Sequence, residues 1–221
     1  MPDPKSVVVW DLPTRLFHWT LVLLIALQFA SGEFELLPMS WHYGLGYATL
    51  ALIAFRILWG FFGSETSRFA SFARGPSAVV RYVREIAAGR HVSIVGHNPL
   101  GGWSVLLMIA CVLVQAVSGL FSSDDLTESG PLAAHVSDAT VKWMTRIHHV
   151  NRYVLLLLIV LHVIAVVMHW IVRNDNLVAS MWHGRKRVEA GVAPRSASAG
   201  RAIVLLAISA IAVAALVYWA G

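Results

Sequence analysis

Four histidines lie within one strongly apolar stretch of the chain, residues 145–170, which reads TRIHHVNRYVLLLLIVLHVIAVVMHW. Histidine is costly to place in hydrocarbon, so an imidazole inside a membrane helix indicates a functional role such as cofactor or ion binding. His148 and His162 are 14 residues apart. On an α-helix this spacing returns both side chains to nearly the same face, about 21 Å apart along the axis. Two histidines at that separation cannot bind one ion, so the spacing predicts two sites on one helix.

The elements that carry these histidines are predicted to be membrane helices. Of the 221 residues, 57% are apolar and only 13% are charged, which a water-soluble core explains poorly. Five stretches are apolar and long enough to approach the helix of about 20 residues that crosses a bilayer. They cover residues 16–31, 44–62, 103–121, 150–171 and 202–219. The predicted fold is therefore an all-α integral membrane protein, with a four-helix transmembrane bundle and a fifth, C-terminal transmembrane helix.

Lys and Arg are distributed asymmetrically between the predicted loops. Residues 1–16 carry two of them, 63–101 five and 172–201 six, whereas 32–41 carries none and 122–146 carries two beside four acids. Basic residues concentrate in the cytoplasmic loops of membrane proteins, so the N-terminus is predicted to be cytoplasmic and the C-terminus to face outward. The net charge of +5 then belongs to loops beside anionic membrane lipid, and no nucleic acid partner is expected.

Each site on the fourth predicted helix needs a partner from another helix. His18 lies at the start of the first helix, at the predicted depth of His162, and His42 lies at the start of the second, at the predicted depth of His148. The topology thus predicts an inner pair, His18 with His162, and an outer pair, His42 with His148. Taken singly, each histidine is equally well explained by a hydrogen bond between helices.

Two facing imidazoles inside a dry helix bundle are typical of b haem held by two axial histidines, so the bundle is predicted to hold two b haems. Gly46 lies one turn after His42, where the missing side chain would let a porphyrin lie against the backbone. Arg56 lies 14 residues beyond His42, at the depth of the inner pair, where a haem propionate would suit a buried arginine. Propionate contacts are also predicted for Arg15 at the inner haem and for Arg146 and Arg152 at the outer haem.

The domain organisation follows from the same pattern. Residues 1–183 form the predicted di-haem domain, including the cytoplasmic loop 63–101. Residues 184–201 are basic and rich in small residues, which is typical of a flexible linker, and 202–221 hold the additional transmembrane helix. Within the loop, residues 75–91 alternate apolar side chains with arginines, which predicts a short amphipathic helix on the membrane surface.

Several motifs, in their order along the chain, resemble one known group of proteins. They are WDLPTRLFHW with His18, WHYGLGY with His42, GHNPLGGW before the third helix, and the pair His148 and His162. Over residues 8–185 the chain resembles the bacterial di-haem cytochrome b561 family and the related b-type cytochrome subunits of nickel–iron hydrogenases and formate dehydrogenases. The resemblance implies haem ligation by the same four histidines, in a multi-pass protein of the bacterial inner membrane. The fifth helix departs from the family pattern.

The resemblance also implies a function. Electrons would pass through the two haems between the quinone pool and a periplasmic partner, either a cytochrome c or a dehydrogenase- or hydrogenase-type subunit. The acidic outer loop is a candidate docking site for a basic partner, and an ordinary solvated loop explains its acids equally well. These acids are Asp124, Asp125, Glu128 and Asp138. His169 is a candidate for a quinone or proton role, with simple interfacial placement as the alternative.

Three alternatives concern the same histidines. His149 points about 100° away from His148 and favours a structural or propionate-bonding role, although a small shift in register would exchange the two. The haems would also suit an autonomous superoxide:quinone oxidoreductase of the cytochrome b561 type, for which Lys142, Arg146 and Arg152 supply part of a basic funnel. A membrane metal enzyme with clustered histidines is less favoured, because 148–149 is the only adjacent pair.

Overall fold

A computed structural model describes residues 5–90, 96–124, 128–188 and 193–220. Within these ranges the chain forms eight α-helices and one two-stranded sheet. The elements are β1 (Lys5–Val8), α1 (Leu12–Gly32), α2 (Met39–Phe62), α3 (Phe69–Phe72), α4 (Pro76–Ala87), α5 (Pro99–Gly119), α6 (Asp138–Arg173), α7 (Leu177–His183), β2 (Arg185–Val188) and α8 (Ala199–Ala220).

Five of these helices, α1, α2, α5, α6 and α8, are long and apolar enough to cross a membrane. This confirms the predicted all-α integral membrane fold with five spans. Hydropathy alone placed the helix starts too late, because it detects the apolar part of a helix and misses its capped polar end. The Asp11 carboxylate accepts a hydrogen bond from the Thr14 amide at 2.8 Å, and the Asn98 side chain accepts one from the Gly101 amide at 2.7 Å. These caps start α1 and α5 several residues before the predicted spans.

The chain divides into two compact units that cut across the long helices. Unit 1 comprises Met1–Leu16, Ile57–Leu107 and Leu161–Ile203, and unit 2 comprises Phe17–Arg56, Met108–Val160 and Val204–Gly221.

In unit 1, β1 and β2 pair antiparallel, with Lys5 opposite Val188. The predicted linker 184–201 therefore contains a strand, and α8 begins at its end. The predicted amphipathic helix is confirmed as α4, which buries Tyr82 and exposes Val80 and Val83.

Buried hydroxyl groups also connect the elements of unit 1. The Thr14 and Ser67 hydroxyls are 2.6 Å apart, and the Trp59 indole donates a hydrogen bond to the Thr14 hydroxyl at 3.2 Å. The Thr66 hydroxyl donates to the Val9 carbonyl at 2.6 Å. These bonds satisfy polar groups that would otherwise be buried without partners.

In unit 2 the C-terminal helix is part of the packed core. Val213 of α8 forms a buried cluster with Leu50 of α2 and with Leu120 and Leu132, which lie between α5 and α6. Leu216 of the next turn of α8 packs against the same cluster. The fifth helix therefore contributes to the same hydrophobic core as α2, the helix that carries His42.

Candidate functional site

Two of the predicted site residues face each other in unit 2. The imidazole ring centres of His42 on α2 and His148 on α6 are 6.2 Å apart, and the rings are inclined by 75°. Both side chains are half-buried. The structure thus brings together the two members of the predicted outer pair.

The Nδ1 atom of His42 is oriented by the end of α1. It lies 3.1 Å from the hydroxyl oxygen of Ser31, whose side chain is only 2% exposed. The Ser31 hydroxyl is within donating distance of the carbonyls of Leu27 and Gln28, at 3.0 and 3.1 Å. Because the serine proton is used there, the serine oxygen is available to accept from the histidine Nδ1–H. The His42 Nε2 atom then carries the free lone pair.

The Nδ1 atom of His148 is held in the same way by the end of α5. It lies 3.0 Å from the carbonyl oxygen of Gln115 and 3.3 Å from the hydroxyl of Ser118. A carbonyl can only accept, so this contact fixes the proton on Nδ1 and leaves Nε2 unprotonated. Ser118, like Ser31, is 2% exposed. Both imidazoles therefore have the tautomer that binds a metal through Nε2.

Two glycines leave room for these rings. A Cβ atom on Gly32 would lie 2.7 Å from Cε1 of His42, closer than real side chains approach, and one on Gly119 would lie 3.1 Å from Cε1 of His148. Gly46 also lines the site, and a Cβ there would lie 3.4 Å from the Gln28 amide nitrogen. The close packing of backbone and imidazole explains why glycine occupies positions 32 and 119.

A cavity of about 250 Å³ surrounds the two histidines and is lined mainly by apolar atoms. Its lining includes the ion pair between Arg152 and Glu33. Two further acids, Asp124 and Glu128, also line it, and His149 lies in its wall. The site is therefore an apolar cavity with a charged portion, and the chemistry of this lining suits an apolar cofactor with ionised side groups.

The geometry of the pair fits axial ligation of one haem iron. Two imidazoles that bind opposite faces of an iron through bonds of about 2 Å have ring centres about 6 Å apart. The observed separation between the centres of His42 and His148 is 6.2 Å. The fixed Nδ1 contacts and the glycine clearances independently agree with this use of the two rings.

Comparison with known proteins gives the family. The family model described as prokaryotic cytochrome b561 matches residues 9–184. The chain belongs to this family. Membership implies transmembrane electron transfer through b-type haem in a multi-pass bacterial membrane protein. No curated protein and no solved structure matches the chain.

The predicted inner residues of this cytochrome b561 protein fall in different units. His18 is half-buried in unit 2, where its ring meets that of Trp19 edge-on at 5.0 Å. Arg56, only 2% exposed, lies in the same unit with its guanidinium 5.9 Å from the centre of the Phe17 ring. His162 is half-buried in unit 1. The pairing of His18 with His162 therefore stays a prediction.

The other predicted arginines of the cytochrome have different surroundings. Arg15 donates a hydrogen bond to the Trp182 carbonyl. Arg152 lines the cavity, pairs with Glu33 and stacks 4.7 Å from the Tyr153 ring centre. Arg146 lies in a neighbouring recess of about 330 Å³, which Lys142 and His149 also line. Of the two arginines predicted at the outer haem, only Arg152 lines the cavity that holds the His42–His148 pair.

His169 is half-buried in unit 1, and Asp125 lies outside the described residues. In the part of the chain that the structure describes, no three His, Cys, Asp or Glu side chains cluster to hold a metal ion, which is the arrangement the metal-enzyme alternative needs.

The sequence analysis did not identify the residues that hold the histidine rings, which are Ser31, Ser118, Gly32 and Gly119. The sequence does contain a signal for these residues, since 28–32 reads QFASG and 115–119 reads QAVSG, two segments with the same Q-x-x-S-G pattern.

Proposed function

We propose that this cytochrome transfers electrons across the bacterial inner membrane through two b haems, between the quinone pool and a periplasmic redox partner. His42 and His148 would hold the outer haem, and His18 and His162 the inner one. The observation that carries the proposal is the His42–His148 pair, whose ring centres lie 6.2 Å apart with both Nδ1 atoms engaged by protein. A bound b haem supplies a one-electron ferric/ferrous couple.

The chain's own residues give each proposed site its chemistry. Bonding at Nδ1 keeps Nε2 of His42 and His148 unprotonated and fixed in direction, so no proton has to leave when a metal is bound. Buried Arg56, in the same unit as His18, would supply a positive charge for a propionate of the inner haem. Arg152, in the wall of the outer cavity, would do the same there.

The acids of the outer cavity favour a basic partner. Glu33, Asp124 and Glu128 line the cavity that holds His42 and His148. Complementary charge accelerates the encounter between redox proteins and orients the partner. A basic cytochrome c or a basic face of an enzyme subunit would therefore approach the outer haem at this surface.

A second candidate function is supported by the neighbouring recess. Lys142, Arg146 and His149 line it beside the outer pair, and a basic recess attracts small anions. As a superoxide:quinone oxidoreductase, the protein would take one electron from each of two superoxide anions and release two molecules of dioxygen. One quinone would accept both electrons and two protons to become quinol.

The first test is haem quantification on the purified full-length chain, with a reduced-minus-oxidised spectrum. We expect two b haems per chain, falling to one in His42→Ala and one in His148→Ala, because each variant removes an axial ligand of the same haem. His149→Ala is the matched control on the adjacent position and should retain both. Equal haem content in the wild type, His42→Ala and His148→Ala would refute the outer site.

The same preparation separates the two functions. Rapid reduction by quinol, together with a periplasmic cytochrome or enzyme subunit retained during mild purification, supports the electron-transfer chain. Steady superoxide consumption with quinone by the isolated protein, weakened in Lys142→Ala with Arg146→Ala, supports the alternative.

A further inference from the structure

The segments QFASG and QAVSG share the pattern Q-x-x-S-G, and each ends a long helix. The first covers residues 28–32 at the end of α1, and the second covers 115–119 at the end of α5. Each of these helices precedes the long helix that carries one histidine of the outer pair, α2 with His42 and α6 with His148. The pattern therefore occurs once for each imidazole.

The two segments make matching contacts with their histidines. The serine hydroxyl lies 3.1 Å from Nδ1 in the pair Ser31–His42 and 3.3 Å in the pair Ser118–His148. Each serine also donates to the carbonyl of the glutamine three residues earlier, at 3.1 Å in both segments. At His148 the carbonyl of Gln115 also accepts from Nδ1, at 3.0 Å.

The glutamine side chains complete the correspondence. The Gln28 amide donates to the backbone carbonyl of His42 at 3.2 Å, and the Gln115 amide oxygen accepts from Asn151, one turn beyond His148, at 2.7 Å. Each glutamine thus connects its helix to the helix that carries the histidine. In each segment the final glycine lies against the same imidazole that the serine binds.

We propose that Q-x-x-S-G is a positioning unit used twice, once for each axial imidazole of the outer haem. The serine hydroxyl accepts a hydrogen bond from the Nδ1 proton, with the glutamine carbonyl as a second acceptor at His148. The glycine leaves space for the ring, and the glutamine side chain fixes the distance to the next helix. The proposal rests on the proposed function for the haem, whereas the contacts that define the unit are independent of it.

The unit sets the electron-donating strength of the imidazoles. A hydrogen bond accepted from Nδ1–H makes the ring a stronger donor, which stabilises ferric over ferrous iron. Nδ1 of His148 has two acceptors, the Gln115 carbonyl at 3.0 Å and the Ser118 hydroxyl. Nδ1 of His42 bonds the Ser31 hydroxyl at 3.1 Å. Loss of the Ser31 hydroxyl should therefore raise the potential of the outer haem more than loss of the Ser118 hydroxyl.

The experiment is a potentiometric titration of the haem-loaded full-length protein, with the low-spin ferric electron paramagnetic resonance spectrum recorded in parallel. The variants are Ser31→Ala, Ser118→Ala and Ser31→Thr, which restores a hydroxyl. Ser209→Ala is the matched control, because Ser209 is also 2% exposed and bonds a carbonyl of its own helix, that of Leu205, at 2.9 Å. His42→Ala identifies which haem signal belongs to the outer site.

We expect Ser31→Ala to shift the ferric/ferrous equilibrium of the outer haem toward ferrous about threefold to tenfold, the upper value being about 59 mV for one electron. Ser118→Ala should give a smaller shift in the same direction, Ser31→Thr should return toward the wild type, and Ser209→Ala should give none. A folded Ser31→Ala protein that loses the outer haem, with recovery in Ser31→Thr, would also support the unit.

Two outcomes overturn the proposal and are distinguishable. If His42→Ala removes one haem while Ser31→Ala and Ser118→Ala keep the wild-type potential and spectrum, the positioning unit is refuted and the proposed haem site stands. If His42→Ala keeps the wild-type haem content, both the site and the unit are refuted.

Discussion

At His42 and His148 the contacts of Nδ1 decide which nitrogen can bind a metal. The Ser31 hydroxyl and the Gln115 carbonyl provide these contacts. They belong to α1 and α5, which carry neither histidine of the outer pair. The sequence was sufficient to predict that the two histidines face each other. The spacing of residues gives the helix face on which each histidine lies, and the distribution of Lys and Arg gives the direction of each helix and hence the depth of each histidine. It could not place a serine against a ring on another helix, since that requires the rotation and depth of two packed helices.

The close approach of Gly32 and Gly119 to the histidine rings predicts the effect of adding one methyl group at each glycine. Gly32→Ala would place a Cβ 2.7 Å from the His42 ring, so the imidazole must move and the proposed outer haem should be lost or bound heterogeneously. Gly119→Ala, at 3.1 Å from the His148 ring, should give a milder loss. Haem content and the ferric spectrum measure both effects.

Gly44→Ala is the matched control for these variants, because no atom lies within 4 Å of a Cβ at that position. It lies within α2 and should keep full haem content, with helix stability increased by about 1 kcal/mol. Normal haem binding in Gly32→Ala would contradict the role given to this clearance.

At the scale of the elements, α5 and α6 are joined by a polar network near the histidine. The Asn151 amide donates to the carbonyl of Cys111 at 2.9 Å and to the Gln115 side chain at 2.7 Å, and the Cys111 thiol donates back to Asn151 at 3.2 Å. Interhelical hydrogen bonds in membranes contribute about 0.6 kcal/mol on average and up to about 1.7 kcal/mol. Because Gln115 also binds His148, this network links helix packing to the position of the ring.

A double-mutant cycle tests the strength of this link. Asn151→Ala and Gln115→Ala should each lower the free energy of unfolding, and the coupling between them should be about 1 kcal/mol. Cys111→Ser keeps a donor toward Asn151 and is the control with little expected effect. Unfolding in mixed micelles of increasing denaturing detergent supplies the measurement, and strictly additive effects would show that the two amides do not interact.

Helix boundaries show what composition can and cannot predict at this scale. The apolar stretches were all assigned to helices, whereas α6 begins at Asp138, twelve residues before the predicted span. That first part carries charged residues such as Lys142 and Arg146 and extends the helix beyond the apolar segment. The strand pair β1–β2 was not predicted, because each strand has only four residues and the two lie far apart in the sequence. β2, which reads RKRV, also lacks the alternation of apolar and polar residues that indicates a strand.

For the molecule as a whole, the number of spans and the charges of the loops together predict the orientation. If all five of the long apolar helices cross the membrane, the two termini would lie on opposite sides. The excess of Lys and Arg in residues 63–101 and 172–201 predicts that those loops lie in the cytoplasm. The acidic residues beside the His42–His148 cavity would then face the periplasm, where a redox partner can reach them.

Single cysteines test this orientation, since Cys111 is the only cysteine and is buried. In a Cys111→Ser background, Ala139→Cys at the start of α6 and Ala88→Cys after α4 introduce exposed thiols in two different loops. A membrane-impermeant maleimide added to spheroplasts should label Ala139→Cys and leave Ala88→Cys unlabelled, with the reverse in inverted vesicles. Both should react after detergent solubilisation, which controls for thiol reactivity. Labelling of Ala88→Cys in intact spheroplasts would show the opposite orientation. That result would also refute the proposed docking of a periplasmic partner at the outer haem.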